Sequence, residues 1–332
     1  MELEPPDFTR LRLAFRDSSH GDAVRAFERR RARGELEALR VGVLRPVLPP
    51  LATIEGDERY LESRRRYLDL IAAVGLTRRS APVVFSHRSA LAILGLPTVA
   101  AWGRSVDVLE PATSARRSKH GVRVHRTGYL PEEIMPWGPF FVTTPARTIA
   151  DLARSGDFMS TVVALDAALR PTARSLVRLS KSDVAEVLSR HGDWGLARAE
   201  FAVEFADGRA ANAGESASRV TIYQLGCEVP DLQVRHFHAE GYFDVDFKWR
   251  RGPGMPRPLI GEFDGGGKYV KPEYLGGMTP GEAVLKEKRR EDILRRQDND
   301  FGRWGWPEVR HPIDLDRILR ECGLRPIRRR LI

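Results

Sequence analysis

Apolar residues recur at helical spacing in ERYLESRRRYLDLIAAVGL, where Tyr60, Leu61, Tyr67, Leu68, Ile71 and Val74 share one face, so this stretch is predicted as a helix. Upstream, FTRLRLAFR and GDAVRAFERRRARG read as two helices, the second strongly basic and stopped by Gly34. ELEALRVGVLRP follows, with Leu39, Val41 and Val43 placed around Gly42 as in a hairpin. A short helix pair and a hairpin predict a small winged helix over residues 1–52, with the hairpin as its wing.

The pattern then changes period several times. VVFSHRSALAILGLP reads as a strand tip and a helix, with Ser86 as candidate N-cap and Gly95 and Pro97 as the stop. SVDVLEP and VRVHRT alternate like two strands around the basic loop ATSARRSKHG. FFVTTPARTIADLAR is a strand, a turn and a helix, with Pro145 in the first helical turn behind Thr143 and Thr144 as caps. SGDFMSTVVALDAALR continues as helix, and these elements define a central α/β domain over residues 53–178. A third block, residues 179–332, opens with a helix capped by Ser182 and passes a Gly/Ala-rich joint, ADGRAANAGES. A helix, the strands DLQVRHF, YFDVDFKW and LIGEFDG, a long helix (GEAVLKEKRREDILRRQ) and a terminal strand and helix complete it.

Composition narrows the classes. The chain has 332 residues and a net charge of +9, which favours anionic partners such as nucleic acid. Seven of the 54 cationic residues are Lys, so the excess rests on Arg and reflects codon composition as readily as a binding surface. No run approaches a membrane span of roughly 20 apolar residues, and MELEPPDF is no secretory signal. Cys227 and Cys322 form no metal spacing and at most a weak disulfide framework. The expectation is a soluble cytoplasmic protein with no membrane partner, and neither a zinc finger nor a disulfide scaffold.

Chemistry concentrates between Tyr242 and Asp264. On one strand Asp244 and Asp246 point to the same face, with Phe243, Val245 and Phe247 opposite; on the next, Glu262 and Asp264 share a face. Paired as a hairpin, these strands gather up to four carboxylates on one surface. Crowded like charges call for a cation, and Mg²⁺ or Mn²⁺ takes oxygen ligands of this kind. Lys268 lies four residues past Asp264, and Lys286 and Lys288 lie on the following helix.

Val245-Asp246-Phe247, Glu262-Phe263-Asp264-Gly265, Arg290-Glu291-Asp292 and Gly305-Trp306 together resemble the PD-(D/E)XK nucleases, most closely the branch related to very-short-patch-repair endonucleases. The resemblance covers roughly residues 210–312. It implies a restriction-endonuclease-like domain with a mixed sheet flanked by helices, in which Asp246 and Glu262 bind the metal with Glu215 as accessory ligand. Gln233 stands where related domains carry a polar residue on the first strand. Asp264 occupies the place of the usual lysine, which steadies attacking water or developing charge; Lys268 or Lys288 would then supply the cation.

Ser86, His87, Ser89, Ala90, Gly95, Pro145, Arg147, Thr148 and Asp151 resemble the AbiEi-type antitoxins of type IV toxin–antitoxin systems, over most of residues 8–170. That resemblance implies DNA binding through a winged helix, with an operator and a cognate toxin as partners. Candidate phosphate contacts are Arg29, Arg30, Arg31 and Arg33 on the basic helix, and Arg116, Arg117 and Lys119 in the loop. Arg147 and Asp151 are four apart on a helix, which fits an ion pair. The expected class is an α/β (α+β) protein. Its residues leave open a metal-dependent DNA nuclease, a non-catalytic antitoxin-like regulator, and an interaction scaffold whose basic surface serves solubility.

Overall fold

A computed structural model describes residues 3–9, 11–13, 21–78, 82–170, 177–238, 241–251, 255–265, 279, 281–282, 285, 289, 293–294 and 298–332. Helices combine with antiparallel and mixed sheets, so the chain is an α+β protein. Contacts group it into two units, Met1–Asp157 with Arg174–Glu204, and Phe158–Ala173 with Phe205–Ile332.

In the first unit, β1 (Arg12–Leu13), β2 (Leu36–Arg40) and β3 (Val43–Pro46) form a sheet of order β1-β3-β2. Helix α1 (Gly21–Ala32) precedes the β2–β3 hairpin. The hairpin turns through Gly42, whose φ of +81° is available without strain to glycine. FTRLRLAFR is not a helix where it is described: Arg12 and Leu13 pair with Leu44 and Val43. Leu11 is buried with Val43, Ala72 and Ala73, so strand pairing and burial override the helical pattern.

Helix α2 (Gly56–Thr77) buries Tyr67, Ile71 and Val74 as the spacing predicts. Leu61, expected on that face, is 59% exposed. A five-stranded sheet contains β4 (Val84–Phe85), β5 (Val106–Leu109), β6 (Val122–His125), β7 (Ile134–Trp137) and β8 (Phe140–Thr143), in the order β6-β5-β4-β8-β7. Strand pairs β5–β6 and β4–β8 are parallel, and the other two are antiparallel. Helices α3 (His87–Ile93) and α4 (Pro145–Ser155) follow β4 and β8. Thr144 caps α4, whereas Ser86 makes no capping bond and instead meets His87 Nδ1 at 3.0 Å.

Helix α5 (Phe158–Leu169) belongs to the second unit. Helices α6 (Lys181–Arg190) and α7 (Leu196–Phe205) follow it in the chain; Ser180, not Ser182, caps α6, because its Oγ reaches Asp183 N while Asp183 reaches back. This grouping differs from sequence blocks at 1–52, 53–178 and 179–332. Helix α5 packs on α8 (Ala213–Gln224), while α6 packs on α4.

The sheet of the second unit contains β9 (Asp231–His238), β10 (Gly241–Trp249), β11 (Leu259–Asp264) and β12 (Asp300–Gly305), in the order β12-β11-β10-β9. The β9–β10 and β10–β11 pairs are antiparallel and β11–β12 is parallel, which makes this a mixed sheet. Helices α9 (Trp306–Arg310) and α10 (Pro312–Glu321) follow. Phe247 stacks on Trp304 at 5.3 Å between ring centroids, and Trp304 Nε1 donates to Ser218 Oγ at 2.9 Å, so α8 is held against this aromatic face. At Gly214 a Cβ would meet the Phe263 ring at 2.0 Å, so only glycine lets the start of α8 come this close.

Candidate active site and nucleic-acid interface

The β10–β11 ladder runs through Phe247 and Gly261, and the antiparallel register places Asp246 and Glu262 opposite one another just beyond it. There the Asp246 side chain takes over: its Oδ2 accepts the Phe263 N–H at 2.9 Å. Asp246, Glu262 and Glu215 are 9%, 4% and 2% exposed. Glu215 arrives from the first turn of α8, which Asn212 caps through Gly214 N and Glu215 N.

Gln233 joins the strands to the helix. Its Nε2 donates to Glu215 Oε2 at 3.0 Å and to Asp246 Oδ1 at 3.2 Å. Its φ of +50° lies in the left-handed region, which is uncommon for a non-glycine residue and found at functional sites. Glu215 also accepts from Ala211 N and from Asn212 Nδ2, each at 2.6 Å. Burial, reinforced by the charge of Asp246, pushes the Glu215 carboxyl up to about 7.

The expected gathering of four carboxylates is smaller in fact. Asp244 is exposed and bonded to Arg235 through both oxygens, at 2.9 and 3.1 Å, because Arg235 is its partner across the β9–β10 ladder. Asp264 closes β11 and is partly exposed. Lys268 and Lys288, together with Lys286 and Arg290-Glu291-Asp292, lie outside the described residues. On β12, Arg303 is the parallel register partner of Glu262.

Carboxylates of Asp246 and Glu262, with Glu215 behind, are hard oxygen donors of the type Mg²⁺ takes. Among the described residues no three His, Cys, Asp or Glu side chains converge on one point. Asp246 and Glu262 are the strand carboxylates that could hold such an ion, with water and phosphate completing its shell.

The basic residues divide. Arg30 on α1 and Arg33, which lies in the turn just past the end of α1, are drawn to Glu35 at 3.0 and 2.7 Å, which neutralises part of the basic face, while Arg29 and Arg31 on α1 are exposed. Arg116, Arg117 and Lys119 line a cleft of about 470 Å³ that Arg40 on β2, Arg78 at the end of α2 and His120 also line. Arg40 Nη1 donates to His120 O at 2.9 Å, tying hairpin to loop. Glu110 pairs with Arg78 and with Arg116, the latter at 2.9 Å, so among the described residues Arg117 and Lys119 are the loop cations without an acidic partner. Sequence reasoning missed Arg40 and Arg78, since no local pattern places a hairpin strand and a helix end beside a loop near residue 117.

No helix among the described residues is long and apolar enough to cross a membrane. These features define an α+β protein with a buried carboxylate–amide site in one unit and a basic cleft in the other. No family model matches the chain. Two Mycobacterium tuberculosis proteins, uncharacterized protein MT2308 of strain CDC 1551 / Oshkosh and uncharacterized protein Rv2248 of strain H37Rv, are each 31% identical to it over 222 residues, spanning 66% of this chain and 70% of each relative. The chain belongs to the family of these mycobacterial proteins.

Proposed function

We propose that this is a DNA-binding protein whose C-terminal unit hydrolyses phosphodiester bonds with Mg²⁺ or Mn²⁺ held by Asp246 and Glu262. The observation that carries the reading is the pairing of these two buried carboxylates on adjacent strands, with Glu215 linked to Asp246 through Gln233. A bound divalent ion would activate water and offset charge on the phosphoryl oxygens. Gln233 holds Asp246 in place through Oδ1, and the Phe263 N–H holds it through Oδ2. Glu215, pushed up to about 7, is poised to hold or release a proton near neutrality. The basic cleft of Arg40, Arg78, Arg116, Arg117 and Lys119 suits the phosphate backbone of DNA.

Plasmid nicking with Mg²⁺ or Mn²⁺, run beside calorimetric titration of the metal, tests this. Nicking and metal binding by the wild type, both lost in Glu262→Ala, is the expected result. Absence of metal binding in both proteins would end the catalytic reading.

A second reading is a non-catalytic, antitoxin-like regulator that binds an operator and a cognate toxin. Asp264 in place of the usual lysine favours it. It predicts tight binding of one DNA sequence that Asp246→Ala and Glu262→Ala leave unchanged.

A further inference from the structure

Two cavities in the first unit share Arg78 and Arg116 as lining residues. The larger, about 470 Å³, is the basic cleft described above; the smaller is about 270 Å³. Their chemistry differs.

Glu110, just past β5, is the acid on the shared wall. Its Oε1 accepts from Arg78 and from Arg116, and its Oε2 accepts from Ser114 Oγ at 3.3 Å. With its side chain 14% exposed, this carboxylate is committed to shaping the loop. Arg40, Arg117 and Lys119 have no acidic partner among the described residues, so five cations stand against one carboxylate. Burial lowers the Arg78 guanidinium from its ordinary value; Glu110 opposes this, while Arg116 and Arg40 add to it. Cations crowded in this way call for a ligand whose negative charges are equally close together. A DNA strand sets a sugar between one phosphate and the next, whereas a triphosphate carries its charges on directly linked phosphoryl groups.

The smaller cavity supplies what a nucleoside needs. Val83 and Leu109, 6% and 2% exposed, line it with Pro82, Pro111 and the half-buried Tyr129, a wall suited to a flat ring. Thr113 and Ser114 bring hydroxyls to the same cavity, able to donate to or accept from a sugar or a base edge. The larger cavity alone falls within the roughly 300–1,000 Å³ of small-ligand pockets.

We propose that the two cavities form one site for a free nucleoside triphosphate. Its phosphate chain lies among Arg40, Arg78, Arg117 and Lys119, and its base lies in the apolar chamber beside Tyr129. All of these residues belong to the first unit, so the site stands apart from the nuclease reading. It shares its basic half with the proposed DNA contact, so triphosphate and DNA exclude one another there.

Calorimetric titration of ATP, GTP, CTP and UTP into the full chain tests this, with the matching monophosphates and inorganic tripolyphosphate as partial ligands. EDTA is present throughout, so that no divalent ion carries nucleotide to Asp246 and Glu262. At least one triphosphate binds one-to-one, about tenfold or more tighter than its monophosphate and than tripolyphosphate. Arg117→Gln and Lys119→Gln each weaken it by about tenfold. Tyr129→Ala weakens it by about fivefold or more and leaves tripolyphosphate unchanged. Should Tyr129→Ala unfold, the comparison of triphosphate with tripolyphosphate still decides the nucleoside half. No saturable heat at millimolar triphosphate, affinity no better than that of tripolyphosphate, or affinity unchanged in Arg117→Gln would overturn the proposal. DNA affinity is measured separately, so its absence would count against the DNA reading and not against this site.

Discussion

Asp246 accepts the main-chain N–H of Phe263 at 2.9 Å, so a side chain continues the bonding of two strands beyond the end of their ladder. Its replacement therefore affects fold and site separately. Asp246→Ala leaves the buried Phe263 N–H without an acceptor, at about 1–3 kcal/mol. Asp246→Asn keeps an oxygen there but removes the charge. Urea unfolding is expected to fall in Asp246→Ala and much less in Asp246→Asn, while metal-dependent nicking is lost in both.

Gly214 offers a test of how Glu215 is placed. A Cβ there would meet the Phe263 ring at 2.0 Å. Gly214→Ala must push α8 from β11, and overpacking of this sort costs about 1–3 kcal/mol. Thermal unfolding will show a lower midpoint, and the nicking rate will fall even though no ligand residue has changed.

For the basic cleft, the expected signature is ionic. Arg117→Gln and Lys119→Gln should each weaken DNA binding across sequences and reduce the slope of log affinity against log salt by about 0.9 if each neutralises one phosphate. Fluorescence anisotropy at several salt concentrations measures both. Arg30→Gln should change the slope less, because Glu35 already holds Arg30 at 3.0 Å.

His87 makes stability depend on acid. Its folded value, about 3, lies below the ordinary 6.5, chiefly through burial, with His125 stacked on it and Asp107, Asp151, Arg123 and Arg147 around it. The unfolded chain binds this proton first, so the stability is full above pH 6.5 and is lost as pH falls toward 3. Between pH 6.5 and 5 the loss comes to about 2 kcal/mol for one proton. His87→Asn removes the titration and tolerates the φ of +48°. Urea unfolding at pH 7.5 and 5 should show the wild type losing more stability than the variant.

Much of the fold was legible because its signals are local. Pro145 behind Thr144, Gly34 after a basic helix and the alternation of Val245 and Phe247 each bear on their own neighbourhood, and each marks an element that forms. Strand β7 and helix α7 were not anticipated, since IMPW contains a proline and LARAEFAVEF was assigned no element between the helix before it and the Gly/Ala-rich joint after it. Arg12 and Leu13 misled, because a distant partner strand decides their conformation. At the candidate site the carboxylate types and alternation were readable. The capture of Asp244 by Arg235 was not, as it depends on the β9–β10 register. Nor was the bridge from Gln233 to Glu215, which rests on a left-handed backbone.

The chain passes from one unit to the other after Asp157, returns after Ala173 and leaves again after Glu204. A ribosome that has delivered the first 157 residues has therefore not delivered the carbonyls of Leu188, His191 and Trp194 that receive Arg154. Neither unit can be completed by a single cut-and-join of the gene. Recombination that shuffles domains between proteins would have to carry both units together.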